Sequence, residues 1–93
     1  MNKFVLNMDI SENMRRLREK NMMTQADVTK KLQLLGSNIE ATTYNKIENG
    51  HRNIRISDFV LLKFIFKANY EDFFDGLIPP ELEELLREYD LME

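Results

Sequence analysis

Cysteine is absent from this chain of 93 residues, so neither a disulfide framework nor a thiolate metal site can form. The one histidine, His51, has no Cys, His or carboxylate at metal-ligand spacing and reads as a surface or phosphate-facing residue. No metal or other cofactor is called for. No run of about 18 apolar residues occurs, which excludes a membrane-spanning helix. Met1–Ile10 lacks a signal-peptide pattern. A soluble, cytoplasmic protein without a membrane partner is expected. Catalytic signatures are missing too. There is no nucleophile–base pair, paired carboxylate site, metal-ligand cluster or Gly-rich phosphate loop, so an enzyme is not expected.

What is present indicates a folded chain. Apolar residues make up 43%, too many for a disordered segment. The length suits one domain, or one domain plus a tail, with a core modest enough for partner packing to supplement it. The net charge of −3 conceals a split. Residues 1–68 hold 12 Lys and Arg against 7 Asp and Glu; residues 69–93 hold 1 against 9. The basic part can still attract phosphate, because charges beyond about 8–10 Å are largely screened at physiological salt. An unevenly charged, solvated surface is the alternative reading of the same split.

The stretch Thr24–Gly50 reads as two short helices around a turn. Thr24 and Asp27 match a capping box, and Val28 and Leu32 form a one-sided apolar stripe. Gly36, Ser37 and Asn38 break the pattern. A second helix, Ala41–Asn49, turns Tyr44 and Ile47 inward, and Gly50 stands at a left-handed C-terminal cap. Its outer face carries Thr42, Thr43, Asn45 and Lys46, which are short, polar or basic, and none is acidic. Such a face suits the DNA major groove. Gln25, in the first turn of the preceding helix, can donate to a phosphate, or simply face solvent. Past the outer helix, the polar turn with His51 and Arg52 can clamp another phosphate.

Around this stretch the chain reads as helical throughout. A first helix, Asp9 to about Lys20, opens on a D-x-x-E capping box with Glu12 and buries Ile10, Met14 and Leu17. Arg15, Arg16, Arg18 and Lys20 lie on its other side. With Lys30, Lys31 and Lys46 they form either a phosphate-facing surface or an ordinary solvated one. Ser57 caps a fourth helix to about Lys67, apolar nearly all round and so expected at the centre of the core. A short fifth helix, Tyr70 to Asp75, is expected to turn Phe73 and Phe74 inward. After Pro79-Pro80, a sixth helix over Glu81–Leu91 carries Leu82, Leu85, Leu86 and Tyr89 on one side and acidic residues on the other.

Leu17-Arg18, Thr24-Gln25 and the run Lys46-Ile47-Glu48-Asn49-Gly50-His51-Arg52 resemble the XRE family of phage repressor and Cro-like helix-turn-helix regulators. The resemblance covers residues 9–75 and implies an all-α, five-helix DNA-binding domain, here with a C-terminal amphipathic helix added. It implies a structural ion pair between Arg18 and Glu48. It places Gln25 on a phosphate, and Ala41, Thr42 and Lys46 where family members read bases. Asn45 and Thr43 fall to phosphates or to the helix itself. The chain departs from the family in a longer linker over 33–40 and in Glu40, where Ser or Thr usually caps the recognition helix.

The expected organisation is an N-terminal arm (1–8), a helix-turn-helix domain (9–76) and an acidic amphipathic tail (77–93) suited to dimerisation. The expected function is sequence-specific binding of a palindromic double-stranded operator by a homodimeric transcriptional regulator, a repressor by analogy. The alternative is a protein-binding module of antitoxin or anti-repressor type, holding a protein partner through the last helix. Leu82, Leu85, Leu86 and Tyr89 are the expected dimer interface, with Phe4-Val5-Leu6 as a second candidate.

Overall fold

The computed structural model describes residues 8–92. Its elements are α1 (Ser11–Lys20), α2 (Gln25–Leu34), α3 (Ala41–Glu48), α4 (Ile56–Ile65), a 3₁₀ turn (Tyr70–Phe74) and α5 (Pro80–Glu88), with no strand among the described residues. Phe4-Val5-Leu6 lies outside those residues.

Helix α1 starts two residues later than its sequence suggests. Asp9 accepts the Ser11 backbone N–H at 2.9 Å, and that local turn takes the place of the anticipated capping box. Met14 is fully buried, with Ile10 and Leu17 packed around it. Asn13, also buried, donates to the carbonyls of Phe73 and Asp75 at 2.9 and 3.0 Å. One amide thus ties the start of the chain to the 3₁₀ turn some 60 residues on. Helix α2 begins with the full Thr24–Asp27 capping box. Its Val28 and Leu32 are completely enclosed.

The linker from Leu35 to Glu40 is held rather than loose. Asp58 of α4, 2% exposed, accepts from the Ser37 hydroxyl at 2.6 Å and from Arg55 at 3.1 Å. Arg55 also donates to the Asn38 side chain at 2.7 Å. Gln33 donates to the Ile39 carbonyl at 2.8 Å, and Ile39 plugs into the core. The extra length therefore anchors α3 through a charge-assisted cluster. Glu40 has the extended backbone of an N-cap, but its side chain makes no capping hydrogen bond.

Helix α4 differs from expectation. It starts at Ile56, not after a Ser57 cap, and it is not enclosed on all sides. Leu62 and Ile65 are buried, whereas Ile56, Val60 and Phe64, spaced by four, form an outward stripe with Ile56 81% exposed. The 3₁₀ turn buries Phe73 against Phe59 and Phe66, while Phe74 stays half exposed and reaches only Phe59. Helix α5 ends at Glu88, short of Leu91. None of its residues is buried, and it has no substantial packing contact with α1–α4.

Gly50 closes α3 with φ +78° and brings the His51 N–H to the Lys46 carbonyl at 2.8 Å. A Cβ there would lie 2.6 Å from the Asp9 carboxylate. Gly50→Ala is expected to lower stability by about 1–2 kcal/mol, the cost of a left-handed non-glycine residue. A denaturation midpoint equal to that of the unchanged chain contradicts this placement.

Candidate nucleic-acid interface

Helix α3 packs between α1 and α2 through Tyr44, Ile47 and Glu48. The buried carboxylate of Glu48 organises the surface around it. Arg18 grips it from α1, its Nε donating at 3.0 and 2.9 Å to the two oxygens and its Nη2 at 2.6 Å. The remaining guanidinium nitrogen of Arg18 donates to the Met23 carbonyl at 2.9 Å, which fixes the turn before α2. The Glu48 side chain has no exposure and that of Arg18 only 13%. Burial alone would raise the Glu48 carboxyl. Hydrogen bonds from Arg18 above all, and from Gln25, with the Tyr44 hydroxyl close by, outweigh it and hold the group below the usual carboxylate range. Burial, and next the Glu48 charge, push the Tyr44 hydroxyl above its usual range. That hydroxyl is enclosed without a partner of good hydrogen-bond geometry.

From Glu48 a ring of polar side chains runs out to the surface. Gln25 Nε2 donates to Glu48 at 3.2 Å, and Asn45 Nδ2 donates to Gln25 Oε1 at 2.9 Å. Asn49 Nδ2 donates to Asn45 Oδ1 at 3.1 Å, and Arg15 Nη2 donates to Asn49 Oδ1 at 3.2 Å. Arg15 Nε closes the ring 3.7 Å from Glu48. Each amide nitrogen in the ring makes one donation within it, which leaves its second N–H for another acceptor. The ring thus turns a buried anion into a set of outward-aimed donors on α1, α2 and α3.

The residues singled out in the sequence fall into three places. Gln25 and Asn45 belong to the ring. Ala41, Thr42 and Lys46 stand exposed on α3 beside it. Thr43 and Arg52 line a cleft of about 360 Å³ on the opposite flank, together with Asn38, Glu40 and Asn53. His51 is exposed in the turn after α3. The basic surface of α1 and α2 is divided. Arg16 faces Asp75 at 3.6 Å, beside the 3₁₀ turn, and Lys31 lines a groove between α2 and α4. Arg15 remains with the ring.

Arg15 joins the site from the set of α1 cations that the sequence offered for phosphate, whereas the side-chain contact of Asn49 with Asn45 was not foreseen. Asn49 sits four residues after Asn45, the helical spacing at which side chains meet. The polar turn that follows it masked that signal. Asn49→Ala is expected to leave folding intact and weaken duplex DNA binding about 5- to 30-fold, the loss of one charge-assisted network member. Equal affinities of the variant and the unchanged chain in a filter-binding titration exclude the ring from the interface.

A family model described as helix-turn-helix matches residues 14–62, just over half of the chain. That span runs from inside α1 to inside α4 and contains the whole ring. No curated protein and no solved structure matches the chain.

Proposed function

From a chain that belongs to the XRE family of helix-turn-helix DNA-binding regulators, we propose a sequence-specific homodimeric repressor. It lays α3 in the major groove of each half of a palindromic operator. The observation that carries this reading is the outward face of α3. Thr42, Asn45, Lys46 and Asn49 present donors and no acid there, and the Glu48-anchored ring fixes two of them. In this reading the ring amides and Arg15 meet phosphates, while Thr42 and Lys46 reach base edges. Arg52 and Thr43 border a second phosphate contact beyond α3. The domain proper spans residues 9–76, and the tail over 77–93 serves dimerisation.

Selection of bound sequences from random duplex DNA tests the reading. A palindrome with half-sites about 10 bp apart, bound with an affinity that falls steeply with salt, is the expected result. Absence of any enriched motif overturns it. The exposed Leu85 and Tyr89 on the apolar side of α5 favour a second reading, a module that holds another protein, and salt-independent indifference to DNA is its mark.

Lys46 separates the two kinds of DNA contact. Lys46→Ala is expected to cost about 1–3 kcal/mol on the preferred operator and to relax one base position. An even loss across all sequences assigns Lys46 to phosphate. An unchanged affinity removes it from the interface.

A further inference from the structure

Two apolar surfaces of this chain stay partly exposed, and they complement each other. The first is a groove of about 450 Å³ between the end of α2 and α4, floored by Met23, Leu34, Leu35 and Phe64 and flanked by Lys31 and Lys67. Leu34 is 76% exposed and Phe64 63%. Exposed apolar clusters of this kind on small proteins mark interaction surfaces. The second is α5, whose Leu82, Leu85, Leu86 and Tyr89 share one side. Glu81 and Glu88 lie along one flank of that stripe, and Glu83 on the other is paired with Arg87 at 2.6 Å.

We propose that α5 of one protomer seats in the α2–α4 groove of a second copy, in a reciprocal exchange. This rests on the homodimeric reading above and names the surface that α5 binds. The occupant follows from charge and pattern. The groove offers an apolar floor between lysines, and α5 offers an apolar stripe beside glutamates. A two-fold exchange covers both surfaces in both protomers at once, whereas pairing α5 with α5 leaves the groove bare and sets acid near acid. Within one protomer α5 has no substantial packing contact with α1–α4, and Leu85 and Tyr89 stay exposed while Leu82 and Leu86 are half-buried, so part of the stripe is left for a partner. None of the groove's lining residues belongs to α3 or to the polar ring, so the exchange leaves the α3 surface open.

Sedimentation equilibrium without DNA tests this by a charge swap. Lys31→Glu with Lys67→Glu makes the groove acidic; Glu81→Lys with Glu88→Lys makes α5 basic. Each double variant alone is expected to weaken dimerisation at least about tenfold through like-charge contact. An equimolar mixture of the two, and a chain carrying all four changes, are expected to recover dimers within about threefold of the unchanged chain. Circular dichroism establishes that each variant is folded. If the groove variant dimerises like the unchanged chain, the exchange is wrong and the homodimer survives. If the mixture fails to recover, the exchange is likewise wrong. An unchanged chain that is monomeric at micromolar concentration overturns both the exchange and the homodimer.

Discussion

Arg18→Met is expected to cost about 3–5 kcal/mol, because it leaves the fully buried Glu48 carboxylate without its hydrogen-bonded cation and only the more distant, half-exposed Arg15 nearby. In a domain of this size that is a fall in Tm of more than about 10 °C, enough to threaten folding at 37 °C. Glu48→Gln should be costly too, since Arg18 then loses its counter-charge and one of the two oxygens that accept from it. Changing both to apolar residues should recover part of the loss. Recovery stays incomplete because the Met23 carbonyl and the Gln25 amide lose partners that the pair supplied. The pair also sets an acid limit. Glu48 is held below its ordinary value, so the folded state binds fewer protons than the unfolded one through that range. The stabilisation is whole above about pH 4.5 and is lost as pH falls through the folded-state value. Glu48→Gln should flatten this part of the stability–pH curve. Calorimetry from pH 3 to 7 measures both effects, and a change in Tm of a degree or less in Arg18→Met sinks the assignment.

Truncation after Leu77 is expected to leave a folded monomer with operator affinity reduced about 10²- to 10⁴-fold. The core should survive, because no residue of α5 is buried. Affinity should fall because two linked half-site contacts become independent events. The loss must be read as specificity, since truncation also changes charge. Residues 78–93 contain six acidic residues and one basic residue, so removing them shifts the net charge from −3 to +2. The shortened chain should therefore bind random duplex DNA more tightly while losing its preference for the operator. Light scattering and paired titrations on operator and random DNA distinguish these outcomes. A truncated chain that stays dimeric moves the interface to the α4 stripe or to Phe4-Val5-Leu6.

Local patterns decided much of this protein. Short-range chemistry fixed the Thr24–Asp27 cap, the Gly50 stop, the inward Tyr44 and Ile47, and the stripe on α5, because each depends on residues within about two helical turns. The acid-free outer face of α3 was legible for the same reason. Tertiary structure decided what depends on residues distant in sequence. An apolar count made α4 look enclosed, yet only packing shows which side the core covers, and Ile56, Val60 and Phe64 remain outside. The long linker stands out in the sequence only as a departure from the family, and it is the buried Asp58 that draws Ser37 and Arg55 together there. The polar ring has the same character. Arg15, Gln25, Asn45 and Asn49 come from three helices and the cap of one, and only the Glu48 carboxylate, whose burial demands partners, brings them into one surface.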